Sequence, residues 1–69
     1  MTAREQALKS QGYTLAEEGI PAPERRVVLV TRQFRCIGFL DRAQNWRYER
    51  DHGLVRDVIA WIPMEGFPQ

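Results

Sequence analysis

Two apolar runs constrain the fold of this chain most, because a strand formed by either run would have apolar side chains on both of its faces. Residues 27 to 30 read Val-Val-Leu-Val, and residues 58 to 62 read Val-Ile-Ala-Trp-Ile. Successive side chains of a strand point to opposite faces of its sheet, and a strand with one face in water alternates apolar and polar residues. Both runs therefore predict strands that are covered on both faces.

The length of 69 residues allows one small domain, residues 1–69, close to the margin of independent stability. Disulfides, a metal ion or self-association commonly stabilise domains of this size. Cys36 is the only cysteine and His52 the only histidine, so a disulfide within the chain and the paired ligands of a zinc site are both missing. We predict no metal and no other cofactor, and we expect self-association.

The N-terminal part predicts one short helix over residues 2–12. Thr2 followed by Glu5 is the pattern of a capping box, in which each side chain binds the other residue's backbone N–H. A helix this short does not persist alone in water, so it must pack on the rest of the chain. Residues 19–25 contain two prolines and are expected to form an extended connector.

Four strands are predicted between residues 26 and 63. Two contain the apolar runs and cover residues 27–31 and residues 55–62. The others cover residues 34–40 and residues 46–49, and in the latter aromatic and charged side chains alternate. Joined in chain order, they would form an antiparallel β-meander with the helix across one face. The sequence thus predicts an α+β fold, closed by an extended tail over residues 64–69.

One short helix covers only one face of such a sheet. We therefore expect a second copy, in a homodimer, or a partner protein to cover the other face. Strict alternation places Ile59 and Trp61 on one face, with Val58, Ala60 and Ile62 on the other. The residues assigned to the core or to a dimer interface are Val28, Val30, Ile37, Phe39, Trp46, Tyr48, Ile59 and Trp61.

The reactive side chains argue against an enzyme. A nucleophile needs a base within hydrogen-bond reach. Cys36 falls in the middle of a predicted strand, where cysteine is usually a small buried hydrophobe, and His52 in Asp-His-Gly is typical of a solvated turn. Glu17 and Glu18 are adjacent, so their side chains diverge on a helix. We predict no catalytic and no metal-binding residue.

The net charge of +1 is unevenly distributed. Residues 25 to 56 hold eight arginines and three acidic residues, whereas residues 1 to 24 hold two basic and four acidic residues. Guanidinium groups suit contacts with carboxylates, with phosphates and across protein interfaces. The predicted partner-binding residues are Arg32, Arg35, Arg47, Arg50 and Arg56.

The same region supports an alternative, a small module that binds single-stranded nucleic acid. Sheets that present aromatic rings among arginines bind single strands by stacking and charge. Such a module would use Arg32, Arg35, Arg47 and Trp46, and the neighbouring aromatic residues are Phe34, Phe39 and Tyr48. The opposing interpretation places Trp46 and Tyr48 in the core, with Arg47 and Glu49 in solvent on the other side of the strand. The near-neutral net charge favours this interpretation, so nucleic acid is the less favoured partner.

Three features of the sequence indicate the cellular compartment of the protein. The N-terminus shows no basic region that leads into an apolar one, and the longest apolar run, residues 58–62, is far too short to cross a bilayer. One unpaired cysteine suits a reducing environment. We expect a cytoplasmic protein.

Several short motifs follow one another in a recognisable order. They are Pro-Ala-Pro from residue 21, Val-Val-Leu-Val from residue 27, Gly-Phe-Leu-Asp from residue 38, Trp46, and Val-Ile-Ala-Trp-Ile-Pro-Met from residue 58. Over about residues 20 to 68 this order resembles a family of small phage and prophage proteins of unknown function. Where that family has His-Trp-Met-Pro-Leu, this chain reads Ala-Trp-Ile-Pro-Met, so the histidine is absent.

With the capped helix added, the layout is similar to that of small accessory proteins of temperate phages, in particular the quorum-sensing anti-activators. The resemblance implies a non-enzymatic protein of the host cytoplasm that binds and inhibits host proteins. The implied partners are a quorum-sensing transcription regulator and a pilus-assembly ATPase. The resemblance assigns no contacting residue.

Overall fold

Helix α1 (Ala3–Ser10) opens the computed structural model, which describes residues 2–66. Thr2 is its N-cap: the Thr2 hydroxyl accepts a hydrogen bond from the Glu5 N–H at 3.1 Å, and the Glu5 carboxylate accepts one from the Thr2 N–H at 2.8 Å. The predicted capping box is confirmed. The helix ends earlier than the predicted range of residues 2–12.

Five antiparallel strands follow, and they form one sheet. They are β1 (Thr14–Leu15), β2 (Val27–Thr31), β3 (Arg35–Leu40), β4 (Trp46–Tyr48) and β5 (Val58–Pro63), in the order β1-β5-β2-β3-β4. The α+β class is confirmed, but the four-stranded meander is wrong. A meander would leave the two apolar strands at its edges. The observed order instead places β2 and β5 side by side inside the sheet, and each has a strand on both sides. This position suits strands that are apolar on both faces, because both faces are most readily covered away from the sheet edges.

A β-bulge in β5 changes which side chains share a face. The pairing between β2 and β5 shifts register there, so Ile59 is an extra residue. Trp61 lies opposite Ala60 and Ile62, as predicted, but Val58 joins Trp61 and Ile59 joins the other face. The predicted pairing of Ile59 with Trp61 is therefore wrong, because alternation does not continue through a bulge.

Helix α1 and the segment after it cover one side of the sheet, which we call the helix face. Its core consists of Leu8, Tyr13, Leu15, Val28, Val30, Ala60 and Ile62, with Ile59 and Met64 partly buried against it. The helix packs on β1 and β5. Ile37, which pairs with Val28 across β2 and β3, is 43% exposed on the same face. The cover of this face is therefore partial.

The opposite side, which we call the aromatic face, is covered by the chain itself. Val27 and Leu29 are 0% exposed there. The side chains packed with them are Val55, Cys36, Trp46, Tyr48, Val58 and Trp61. Side chains of both β4 and β5 thus pack against the buried residues of β2 on this face. We expected a second copy to cover this face, but side chains of the same chain cover it. The homodimer itself stays a prediction.

Close packing of β3 against β4 depends on Gly38. A Cβ atom at this position would overlap the carbonyl oxygen of Arg47 and lie 2.7 Å from Cδ1 of Leu29. Any other residue would force β4 or Leu29 away. Gly38 therefore allows the aromatic side chains of β4 to reach the core.

The last strand and the tail differ from their predicted bounds. Strand β5 begins at Val58 rather than at residue 55, because Leu54 forms a bridge with Arg47 of β4. Met64–Gly66 form one 3-10 turn instead of the extended tail predicted for residues 64–69, of which residues 67–69 lie outside the described part of the chain. No helix within residues 2–66 is long and apolar enough to cross a membrane.

Candidate functional site

The candidate site is built on the tight turn between β2 and β3. Thr31 is 2% exposed, and its hydroxyl accepts hydrogen bonds from the backbone N–H groups of Gln33 at 3.2 Å and Phe34 at 3.0 Å. The Thr31 backbone N–H bonds the Phe34 carbonyl at 2.9 Å. From helix α1, the Arg4 guanidinium donates to the carbonyls of Thr31 at 3.0 Å and Arg32 at 2.9 Å. These bonds fix the backbone that presents Phe34.

Phe34 and Tyr48 form a stacked pair, which we call the aromatic ridge. Their ring centroids lie 6.3 Å apart with an interplanar angle of 10°. Phe34 is 43% exposed, whereas Tyr48 also packs against the core of the aromatic face. The guanidinium carbon of Arg50 lies 5.7 Å from the centroid of the Tyr48 ring, within the range of a cation–π contact.

Two cavities meet at the aromatic ridge, because Phe34 and Tyr48 line both of them. One has a volume of about 510 Å³ and is also lined by Arg35, Cys36, Ile37, Glu49 and Arg50. The other has a volume of about 250 Å³ and is also lined by Thr31, Arg32, Gln33, Leu54, Arg56 and Asp57. Each cavity thus holds two arginines beside the shared aromatic pair.

Four arginines and two acidic residues, Glu49 and Asp57, line the two cavities at the ridge. The pKa of Glu5 is lowered chiefly by the hydrogen bond from the Thr2 N–H and to a smaller extent by the charge of Arg32. Among residues 2–66, no carboxylate oxygen lies within 4 Å of the guanidinium groups of Arg32, Arg50 and Arg56. The guanidinium carbon of Arg35 lies 5.8 Å from the centroid of the Tyr13 ring on the helix face. The ridge therefore offers an aromatic centre with cationic donors around it.

Arg47, the fifth predicted binding residue, lies apart from the ridge. Its Nε donates to Asp41 Oδ2 at 2.9 Å, and its terminal nitrogen donates to the His52 carbonyl at 3.0 Å. Asp41 also accepts the backbone N–H groups of Ala43 at 2.9 Å and Asn45 at 2.8 Å. The Asn45 N–H first, and the Arg47 guanidinium next, hold the pKa of Asp41 below its ordinary value. Arg47 therefore fastens the turn between β3 and β4.

A third cavity, of about 620 Å³, is a cleft lined by Glu24, Arg26, Phe39, Asp41, Arg47, Glu49 and His52. We call it the Phe39 cleft. The His52 ring stands edge-on to Phe39, with centroids 5.5 Å apart. Three ion pairs surround it: Arg26–Glu49 at 3.1 Å, Arg42–Glu24 at 3.2 Å and Arg47–Asp41 at 2.9 Å. The charges of this cleft are thus compensated within the chain.

The eight predicted apolar residues fall into three environments. Val28 and Val30 are buried on the helix face, with Ile59 partly buried against them. Trp46 and Trp61 are partly buried on the aromatic face, where Tyr48 also serves the ridge. Ile37 and Phe39 are partly exposed on the helix-face side of β3.

The groups that could carry chemistry are not arranged for it. Burial raises the pKa of the Cys36 thiol, against a smaller opposing effect of Arg50. A raised pKa keeps the thiol protonated at neutral pH, unlike an activated nucleophile. Within residues 2–66 no three His, Cys, Asp or Glu side chains are grouped so as to hold a metal ion.

Two contributors to the site were missed by sequence reasoning. Leu54 is exposed beside the second cavity, and its only sequence signal was an apolar residue directly after a predicted turn. Arg4 supports the turn across sequence separations of 27 and 28 residues, and no local pattern indicates such contacts.

Comparisons of the chain with protein-family models, with curated proteins and with solved structures found no match.

Proposed function

We propose that this chain is a non-enzymatic protein that acts by binding another protein through the aromatic ridge. The observation that carries the proposal is Phe34, a 43% exposed aromatic residue held by a rigid turn between two arginine-lined cavities. Aromatic and arginine side chains dominate the energetics of protein interfaces. A side chain already fixed by its turn loses little conformational entropy on binding.

The charges favour an acidic segment of the partner. Arg32, Arg50 and Arg56 present guanidinium groups that match carboxylates in bidentate geometry. An apolar side chain in the middle of that segment would pack on Phe34. The expected ligand is therefore a stretch of partner chain with acidic residues on both sides of an apolar one.

The proposal includes the biological role that the resemblance implies. In that role the chain is a phage accessory protein that binds and inhibits proteins in the host cytoplasm, such as a quorum-sensing transcription regulator and a pilus-assembly ATPase. This part is supported by the order of the sequence motifs, and the ridge supplies the contact surface that it needs.

Affinity capture from a bacterial host lysate, followed by mass spectrometry and by titration of the captured protein, tests the proposal. Phe34→Ala should weaken the affinity by roughly 30-fold, the effect of one hot-spot residue. Phe39→Ala is the matched control, since it removes the same side chain from the Phe39 cleft and should bind like the wild type. Equal affinity of both variants, or no captured protein above background, would contradict the proposal.

A second candidate function is favoured by the stacking of Phe34 and Tyr48 itself. Bases of single-stranded nucleic acid could stack on this pair while phosphates contact the flanking arginines. A fluorescent oligothymidine separates the two functions. Binding at about 50 mM salt that weakens steeply by about 200 mM would favour nucleic acid, and no binding at the lower salt would exclude it.

A further inference from the structure

One exposed segment of this chain carries the chemistry that the aromatic ridge should bind. Residues 17–24 read Glu-Glu-Gly-Ile-Pro-Ala-Pro-Glu, and we call them the acidic connector. Ile20 is 52% exposed, and the acidic residues on both sides of it are exposed as well. Pro21 and Pro23 fix their own φ angles and disfavour helix in the residues before them, and residues 23–24 form a turn rather than the predicted extended chain, with Glu24 at φ 64°.

The acidic connector is anchored at both ends. The indole Nε1 of Trp61 donates to the Gly19 carbonyl at 2.9 Å, and Pro21 is buried. Further along, the Glu24 N–H donates to the Leu40 carbonyl at 2.7 Å. The segment therefore presents Ile20 in a fixed setting.

The carboxylates of the connector are available to new partners. Glu18 pairs with Lys9 at 3.2 Å, and Glu24 pairs with Arg42 at 3.2 Å. All four side chains are exposed by 43% or more. Exposed ion pairs of this kind contribute little and exchange readily.

The connector does not reach the ridge of its own chain, since none of residues 17–24 lines either of the two cavities there. Glu24 is bonded beside Leu40 at the C-terminal end of β3, whereas Phe34 immediately precedes the N-terminal end. The six residues of β3 span roughly 20 Å at the rise of an extended strand. The connector of a second copy can therefore reach the aromatic ridge more readily than the connector of the same chain can.

We propose that the acidic connector of one copy binds the aromatic ridge of a second copy. Ile20 packs on Phe34 and Tyr48, and the acidic residues on its two sides accept hydrogen bonds from the arginines of the two cavities. In a pair related by a two-fold axis this contact forms twice, since each copy supplies one connector and one ridge. The association places the acidic N-terminal part of each chain against the basic region of its partner.

This contact differs from the dimer that the apolar strands suggested. That dimer was meant to cover a sheet face, and the chain's own aromatic side chains cover it. The new contact needs no other protein and so goes beyond the proposed function. One consequence rests on the proposed function: an acidic partner and a second copy compete for the same ridge.

A complementation experiment with the purified full chain tests the contact. The ridge variant carries Phe34→Ala and Arg50→Gln, and the connector variant carries Ile20→Ser and Glu17→Gln. In sedimentation equilibrium the wild type should dimerise, and each variant alone should associate at least about 10-fold more weakly, as expected for the loss of hot-spot contacts. An equimolar mixture should regain association, because it restores one intact contact in a heterodimer.

A matched control carries Phe39→Ala and Arg26→Gln in the Phe39 cleft and should dimerise like the wild type. Circular dichroism verifies that each variant is folded, and Arg56→Gln alone replaces the ridge variant if that variant unfolds. A wild type that stays monomeric, variants that associate normally, or a mixture without recovery would overturn the contact. A monomeric wild type leaves the capture experiment of the proposed function unaffected, and a failed capture leaves the dimer unaffected.

Discussion

The aromatic ridge and the Phe39 cleft both contain arginines and aromatic side chains, but the arginine charges are paired differently in the two regions. In the cleft, Arg47 and Arg26 are held by Asp41 at 2.9 Å and by Glu49 at 3.1 Å. At the ridge, within the described residues, the guanidinium groups of Arg32, Arg50 and Arg56 have no carboxylate within 4 Å. The chain itself therefore compensates the arginine charges of the cleft, and we propose that a partner compensates those of the ridge.

The two phenylalanines reach these regions from one segment of chain. Phe34 and Phe39 are five positions apart, an odd number, so they point to opposite faces of the sheet. Tyr48, on the aromatic face of β4, stacks on Phe34, and Arg47, its neighbour in sequence, lines the Phe39 cleft. Strand alternation thus divides one arginine–aromatic sequence between the aromatic ridge, the proposed binding surface, and the Phe39 cleft.

Gly38→Ala should have the largest effect, because Gly38 joins the strands that carry both regions. The added Cβ would overlap the Arg47 carbonyl oxygen and contact Leu29. We expect the free energy of unfolding to fall by about 3 kcal/mol and the melting temperature by roughly 10–20 °C. Thermal denaturation followed by circular dichroism measures this.

Gly53→Ala is the control for this substitution. Its Cβ would meet the movable carboxylate of Asp51 at 3.1 Å, and we expect a loss under about 1 kcal/mol. If Gly38→Ala melts like the wild type, β4 does not approach β3 as described.

Thr31→Val should be next, since it removes the hydroxyl that holds the turn below the ridge. Two backbone N–H groups, those of Gln33 and Phe34, lose their acceptor. We expect a loss of about 1–2 kcal/mol in urea unfolding. Thr31→Ser keeps the hydroxyl and should retain most of the stability. Equal stability of Thr31→Val and the wild type would show that the hydroxyl does not support the turn.

Substitution of a ridge arginine should change partner binding, and substitution of a cleft arginine should change stability. Arg50→Ala should weaken partner binding roughly tenfold, a difference of about 1.4 kcal/mol, with unchanged unfolding. Arg47→Ala should lower stability by about 1 kcal/mol and leave the affinity unchanged. Isothermal titration and urea unfolding of both variants measure these effects. Any outcome in which both variants lose the same property would remove the distinction between ridge and cleft.

The smallest effect should be the pH dependence of the cleft. Hydrogen bonds from Asn45 and Arg47 lower the pKa of Asp41 in the folded state below its ordinary value of 3.8. The stability from this carboxylate is therefore present above that value and is lost as the pH falls through the lowered pKa. Asp41→Asn should be less stable than the wild type at pH 7, and the difference should shrink at pH 3 in urea unfolding.

The exposed Asp57→Asn serves as the control for the pH experiment and should leave stability unchanged at both pH values. A difference between Asp41→Asn and the wild type that stays constant from pH 7 to pH 3 would show that the ionised carboxylate is not what stabilises the turn.

Local sequence patterns determined the elements of this protein. Thr2 and Glu5 cap the helix because the contact spans three residues. The apolar run of β2 becomes a strand buried on both faces because its side chains leave no polar side. The helix and the four longer strands were predictable for this reason, whereas the two-residue strand β1 was not predicted.

The tertiary structure alone decided how the elements meet. Strand order depends on pairings between residues far apart in sequence, such as Leu29 with Trp61. The bulge at Ile59 reverses alternation, and the chain's own aromatic rings pack on a face for which the sequence suggested a partner. Whether an arginine is compensated depends on which acid the fold brings within reach. The sequence grouped five arginines as one predicted binding region, and the tertiary structure separated Arg47 from the four that line the two cavities at the ridge.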